Sequence, residues 1–112
     1  MSVSASSAAA ERAVAGLAEM SADLRSCAIV DGSGAVLAAS AENEWGARAE
    51  EIWRAVDGLD GASVTQVHVA TEDGEMYAVR SGSRSVIALS ARHALASLMF
   101  CDLRAALREA GG

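Results

Sequence analysis

Apolar and polar positions follow two different periods along this chain, and together they predict three helices and five strands. Apolar residues recur every three or four positions in three segments, which is the period of an amphipathic helix: 10–24, 43–59 and 91–110. Apolar runs and alternating runs rich in β-branched residues predict strands in the segments 27–31, 35–40, 62–71, 75–80 and 84–90. The predicted order is therefore α-β-β-α-β-β-β-α.

Short turns between consecutive strands predict one five-stranded, mostly antiparallel sheet in an α/β (α+β) domain. Asp31-Gly32, Asp73-Gly74 and the segment 81–83 supply the turn residues. Three helices must cover the sheet, two on one face and one on the other. One helix cannot cover five strands, so we expect exposed apolar surface on its face. Residues 1–9 are expected to be a disordered N-terminus, and residues 10–110 to form the domain.

The stretch AIVDGSGAVLAAS, residues 28–40, carries two glycines after an apolar run and raises the question of a phosphate-binding loop. Such a loop needs a helix directly after the glycines. The next five residues are too short and too uniformly apolar for an amphipathic helix. Leu37 stands where a dinucleotide fingerprint has its third glycine, and the chain contains no lysine. The stretch therefore indicates a hairpin with its turn at Asp31-Gly32, and we expect no cofactor.

The second predicted helix holds both tryptophans, although aromatic residues make up only 4% of the chain. Its cap is expected within 40–43, with Glu42 and Glu44 in the first turn. Trp45 lies on an apolar stripe at helical spacing and is expected in the core; the other members are Ala49, Ile52, Val56 and Leu59. Trp53 lies about a quarter turn off this stripe, so it is a candidate contact residue as well as a candidate core residue.

Composition excludes several classes of function. A net charge of −6 and a pI near 4.7 argue against a nucleic-acid partner. No apolar run is long enough to insert into a membrane, and no secretory signal precedes the domain, so a cytoplasmic location is expected. Cys27 and Cys101 lack metal-ligand spacing and are expected to be buried, reduced and slow to react.

Candidate catalytic chemistry is sparse. His68 lies in the middle of a predicted strand, where a partly buried or interface histidine is expected rather than a general base, and His93 lies at a predicted helix start, where a surface position is expected. No group of histidine, aspartate and glutamate residues shows metal-ligand spacing. The sequence therefore predicts a protein that is not an enzyme.

Four stretches resemble the roadblock-type dynein light chain family and its bacterial relatives over residues 10–110: CAIVDGSGAVLAAS, VTQVHVAT, SGSRSVIALS and ALASLMFCDLRAALREA. The resemblance implies a non-catalytic scaffold that forms dimers by pairing the third strands of two subunits. It also implies a small Ras-like GTPase as partner, with some bacterial members acting as GTPase-activating proteins. The dimer or partner interface implied for this chain consists of Trp45, Ile52, Trp53, Val64, Gln66 and His68. No residue matches a fixed catalytic arginine.

A second function class stays open at this point. A mixed domain with an incompletely covered sheet can hold a small ligand in an apolar pocket, as profilin-like and PAS-like sensory modules do. A monomer that co-purifies with a small molecule would support this alternative, and a dimer with an empty core would support the scaffold.

Overall fold

The computed structural model describes residues 2–58, 64–92 and 94–111, with side chains from residue 7 onward. In these ranges the elements follow the predicted order α-β-β-α-β-β-β-α. Their bounds are α1 (Ser2–Met20), β1 (Leu24–Asp31), β2 (Val36–Ala39), α2 (Trp45–Asp57), β3 (Gln66–Ala70), β4 (Glu75–Ser81), β5 (Arg84–Ser90) and α3 (Ala96–Glu109).

The five strands form one antiparallel sheet in the order β2-β1-β5-β4-β3, which confirms the predicted architecture. β5 and β4 are joined by a tight turn in which Gly82 has a φ of +61°. β1 pairs with β5 in the middle of the sheet. The hairpin of β5 and β4 therefore lies between the hairpin of β1 and β2 on one side and β3 on the other. β2 and β3 are the two edge strands.

The helices divide between the two faces as predicted. α1 and α3 cover one face, where the core includes Leu17, Cys27, Ile29, Tyr77 and Leu103. α2 covers the other face, where a smaller core contains Ala28, Val30, Trp45, Ala49, Ala78 and Ile87. Successive residues of a strand point to opposite faces, which explains why Cys27 and Ile29 join one core and Ala28 and Val30 the other.

The first helix differs from the prediction at both ends. It begins at Ser2, where the sequence analysis expected a disordered start, because the Ser/Ala run contains no proline or glycine and alanine favours a helix. It ends at Met20, earlier than predicted, because Leu24 pairs with Ser90 as the first residue of β1. The domain boundary at residue 10 stays a prediction.

The first hairpin is confirmed, but its left-handed residue is Gly34 (φ +89°) and not Gly32. The Asp31 carboxylate accepts hydrogen bonds from the Ser33 N–H at 2.9 Å and the Ala35 N–H at 3.0 Å. It also accepts one from the Ser33 hydroxyl at 2.7 Å, and these bonds, the hydroxyl above all, hold the pKa of Asp31 below its usual value. The side chain therefore closes the turn.

The second and third helices begin later than predicted. α2 begins at Trp45, and Asn43 precedes it, accepting hydrogen bonds from the Glu44 N–H (2.8 Å) and from Arg48 Nε (3.0 Å). Neither Glu42 nor Glu44 lies in the first turn. α3 begins at Ala96, so Leu95, predicted to be buried, is 65% exposed.

Cys27 is buried in the sheet, as predicted, and its pKa is raised by that burial. The prediction for Cys101 is wrong, because this residue is exposed on α3. The buried positions of α3 are Met99, Leu103, Ala106 and Leu107. Two positions after Met99 a helix has turned about 200°, which places Cys101 on the outer face.

Candidate interaction surface

The sheet face that carries α2 is covered only in part. α2 lies over β1 and β5, where Trp45 and Ala49 are buried. Apolar side chains continue beyond the helix across β5, β4 and β3; we name Val67, Val69, Met76 and Leu89 the open face. Val69 is 41% exposed and the other three are half-buried. The uncovered apolar surface expected from the helix count is therefore present, and it ends at β3.

The β3 edge presents an alternating set of backbone groups. The Arg80 N–H donates to the Thr65 carbonyl and the Thr71 N–H to the Gly74 carbonyl, both at 2.8 Å. Hydrogen-bonded pairs alternate along an antiparallel ladder, so in the register of β3 and β4 the N–H and C=O groups of Val67 and Val69 point to β4. Those of Gln66, His68 and Ala70 point away from the sheet, and we name these groups the free edge.

The side chains of the free-edge residues lie on the α3 face. Arg104 on α3 donates to Gln66 Oε1 at 2.6 Å. The His68 ring stacks on Tyr77 with a centroid distance of 4.3 Å, and Phe100 meets both rings edge-on. His68 Nε2 lies 2.6 Å from Glu75 Oε1. These contacts hold β3 in place from one side, while its outward backbone groups stay accessible.

Glu75 links this aromatic group to the start of α3. Its side chain is 10% exposed, and Oε2 accepts a hydrogen bond from the Ala94 N–H at 3.1 Å. Tyr77 donates its hydroxyl to Glu75 Oε1 at 3.3 Å. Burial raises the pKa of Tyr77, and the negative charge of Glu75 raises it further, so the phenol stays protonated at neutral pH.

A second polar group lies at the end of α2. The Arg80 guanidinium lies 4.5 Å from the Trp53 ring centroid and forms a salt bridge with Asp57. Arg80 Nε donates to the Val64 carbonyl at 2.7 Å, which ties the chain before β3 to β4. The hydrogen bond from Arg80 lowers the pKa of Asp57. Within the described ranges Trp53 Nε1 is buried without a hydrogen-bond partner.

A cleft of about 530 Å³ separates the end of α2 from the two hairpin turns at 31–34 and 82–85. Trp53 and Arg80 form one wall, and glycines form much of the opposite rim. The lining carries Asp31, Glu50, Arg54 and Asp57 as well, so this cleft differs from the apolar ligand pocket that a sensory module requires.

The predicted interface residues do not form one patch. Trp45 is 1% exposed and donates its indole N–H to the Ala41 carbonyl at 2.9 Å, so its side chain is part of the core and offers no contact surface. Ile52 and Trp53 are half-buried on the α2 face, and Val64 is half-buried next to Arg80. Gln66 and His68 point to the α3 face.

The sequence analysis expected exposed apolar surface but did not name the residues of the open face, and it missed Ala70. The signal was present in VTQVHVAT, because alternate positions of a strand share a face and Val67 and Val69 are the apolar set. The pairing partners Met76 and Leu89 could be named only once the register of β3, β4 and β5 was known. Leu59 and His93 lie outside the described residues.

In the part of the chain that the structure describes, no three histidine, cysteine, aspartate or glutamate side chains are grouped so that they could hold a metal ion. No helix in the same ranges combines the length and the apolar character that crossing a membrane requires.

Comparison with solved structures identifies the fold, whereas no protein-family model and no curated protein matches the sequence. A Roadblock/LC7 domain from Streptomyces avermitilis superposes with a TM-score of 0.76 at 16% identity, covering 88% of this chain and 91% of that one. The gliding protein MglB from Thermus thermophilus gives 0.79 at 14% identity, covering 95% and 88%. An MglB with a tetrameric arrangement gives 0.65 at 21% identity, covering 92% and 88%. The chain therefore has the Roadblock/LC7 fold, which confirms the resemblance seen in the sequence.

Proposed function

We propose that this protein is a cytoplasmic, homodimeric, non-catalytic regulator that binds a small Ras-like GTPase. The observation that carries the proposal is the free edge of β3 next to the open face. An edge strand without proline or lysine is a template for pairing with another strand, and natural proteins cover such edges. Here the uncovered backbone and the uncovered apolar surface lie side by side, so one partner can cover both.

A second copy of the chain fits this surface. Pairing of two β3 strands would join the two sheets into one and would satisfy the outward N–H and C=O groups of Gln66, His68 and Ala70. It would also remove Val69 from water. The MglB structure with a tetrameric arrangement is a neighbour of the same fold that self-associates, which supports the proposal.

The GTPase partner is supported by the fold that the chain shares with MglB and by the family resemblance of its sequence. The outer side of α2 carries the exposed acids Glu50, Glu51 and Asp57 next to the Trp53 ring, with Glu50 paired to Arg54 and Asp57 to Arg80. Tryptophan is frequent among the anchors of protein interfaces, and surface charge sets the association rate. We expect the GTPase surface that meets α2 to be basic around an apolar centre.

Two proline substitutions test the dimer. Ala70→Pro removes an N–H that points away from the sheet, so the domain should fold normally but lose its dimer. Val69→Pro is the matched control, because the N–H that it removes belongs to the ladder with β4 and its loss should destabilise the fold itself. Light scattering gives the mass, and thermal unfolding gives the stability. A wild-type chain that is monomeric at high micromolar concentration would contradict the proposed dimer.

Binding to the GTPase is tested with Ras-like GTPases from the same organism, loaded with GDP or with a GTP analogue. Trp53→Ala should weaken binding by about 2 kcal/mol or more if the ring is an anchor. Glu51→Arg should slow association, whereas Glu11→Arg on the exposed side of α1 serves as the control and should not. GTP hydrolysis measured with and without the protein separates acceleration from binding alone. Absence of binding in both nucleotide states would refute this part of the proposal.

A further inference from the structure

We propose that Arg80 is the positioning residue for the Trp53 ring, which it holds in the orientation that the GTPase partner meets. This inference rests on the proposed GTPase contact at α2 and adds the residue that fixes its aromatic anchor. Arg80 lies on the α2 face of the sheet, because Ala78, two positions earlier in β4, belongs to the core beneath that helix.

Hydrogen bonding does not fix the Trp53 ring. In the part of the chain that the structure describes, its indole Nε1 is buried without a hydrogen-bond partner, and the side chain is half-buried at the margin of the core. Trp45 in the same helix differs on both counts, since it is 1% exposed and donates its indole N–H to the Ala41 carbonyl. The Trp53 ring is therefore oriented by packing against the core and by the Arg80 guanidinium, whose Cζ lies 4.5 Å from the ring centroid.

The Arg80 guanidinium is itself held from two directions. Its Nη1 donates to Asp57 Oδ2 at 3.1 Å and its Nη2 to Asp57 Oδ1, so the fork contacts both oxygens of the carboxylate at the end of α2. Its Nε donates to the Val64 carbonyl at 2.7 Å. These hydrogen bonds fix the plane of the guanidinium, and the side chain is only 22% exposed.

The contacts of Arg80 use a geometry that lysine lacks. A lysine at this position would keep the charge, but its ammonium group has no plane to lie over the ring and no Nε to donate to Val64. The fork also pairs the carboxylate next to the ring, since the hydrogen bond between the two groups lowers the pKa of Asp57 and raises that of Arg80. Trp53 therefore lies beside a paired carboxylate.

A ring that is oriented before binding loses less conformational freedom when the partner arrives. Among variants of one interface, such preorganisation changes the dissociation rate more than the association rate. Freeing one side chain that binding must then immobilise should accelerate dissociation by about two- to tenfold. Association should change little as long as the charge is kept, because surface charge sets the association rate.

Fluorine NMR on protein labelled with 5-fluorotryptophan tests the positioning directly. The two tryptophans give two signals, of which the one absent from Trp53→Phe belongs to Trp53, and the Trp45 signal reports on the intact core. In Arg80→Lys the Trp53 ring should sample more than one orientation, so its transverse relaxation rate should change while that of Trp45 stays the same. Arg104→Lys is the matched control, because Arg104 also donates to a side chain, Gln66, but on the other face of the sheet. This control should leave both signals unchanged.

A folded Arg80→Lys protein that keeps the wild-type relaxation rate at Trp53 overturns the proposal. If Arg80→Lys does not fold, Asp57→Asn takes its place, because it removes the charge that fixes the guanidinium from a side chain that is 52% exposed. An altered relaxation rate of Trp53 in Asp57→Asn supports the positioning role, and an unaltered rate overturns it.

Stopped-flow kinetics with a GTPase that binds the wild-type chain measure the consequence for binding. Arg80→Lys should dissociate about two- to tenfold faster than wild type, with an unchanged association rate, and Arg104→Lys should match wild type. A mobile Trp53 ring with an unchanged dissociation rate overturns the role of Arg80 in binding. A wild-type chain that binds no Ras-like GTPase refutes the proposed function instead, and the NMR result still decides whether Arg80 positions the ring.

Discussion

Trp45 is the position where a single substitution tests the α2 core most directly. Its side chain is 1% exposed and packs in the smaller core under α2, whose other buried members in the described ranges are mostly small. Replacement by alanine removes an aromatic ring from between α2 and the sheet, and the alanine-rich surroundings of Ala28, Ala49 and Ala78 cannot close over the space. Truncation of a buried aromatic side chain to alanine costs about 3–5 kcal/mol.

This loss is large for a single domain, whose free energy of unfolding is typically about 5–15 kcal/mol. A shift of roughly 4 °C per kcal/mol for a domain of this size gives a melting temperature lower by roughly 12–20 °C. The lost hydrogen bond from the indole to Ala41 adds little, because Ala41 is exposed and water can replace the donor.

The assay is guanidinium unfolding followed by circular dichroism, with every variant at the same protein concentration, since the proposed dimerisation would make stability depend on concentration. Trp53→Ala is the control. Trp53 is half-buried at the margin of the same core, so its truncation should lower the free energy of unfolding clearly less than that of Trp45. The reasoning is refuted if Trp45→Ala lowers the free energy of unfolding by less than about 1 kcal/mol. Equal losses in the two variants would show that Trp53 is also a core residue, and the contact face for the GTPase would then lie elsewhere.

Three further results are expected. A thiol reagent should modify Cys101 rapidly in the native protein and Cys27 slowly, because burial raises the pKa of Cys27 and blocks access; two equally fast thiols would contradict the burial. Gly46→Ala should lower the free energy of unfolding by about 1–3 kcal/mol, because an added Cβ would overlap the Gly34 carbonyl oxygen. An unchanged free energy of unfolding would show that the turn at Gly34 moves aside without cost. Asp31→Ala should lower the melting temperature at pH 7. Because folding lowers the pKa of Asp31, the ionised carboxylate stabilises the fold above its unfolded-state pKa of ~3.9, and this stabilisation is lost as the pH falls through its folded-state pKa. At lower pH the substitution should therefore have little effect. A difference between wild type and variant that does not shrink as the pH falls below the unfolded value would argue against this.

The sequence determined the order of elements because their periods differ. The alternation in VTQVHVAT and the three- and four-residue spacing from Trp45 to Ile52 are local properties of the chain, and local backbone geometry converts them directly into a strand and a helix. Turn chemistry at Asp31 and Asp73 was local as well. The burial of Trp45 followed from the same stripe.

Helix starts were less predictable, because they depend on what the preceding residues contact. Apolar spacing placed Leu95 inside the last helix, but the Ala94 N–H donates to Glu75 from β4, and the helix begins only after Leu95. The exposure of Cys101 followed from the resulting helix face. Contacts between residues far apart in the chain decided both outcomes.

Tertiary structure alone decided which surface is available to a partner. The alternation of β3 is compatible with a central strand or an edge strand, and only the strand order β2-β1-β5-β4-β3 leaves β3 at the margin. Whether Gln66 or Val67 presents its backbone outward depends on which side of β3 is paired, because β4 takes the N–H and C=O groups of Val67 and leaves those of Gln66 unpaired within the sheet. The physical reason is that the hydrophobic pattern of a strand specifies which side chains face the core. Which of its backbone N–H and C=O groups stay free depends instead on which side of the strand is paired with another strand.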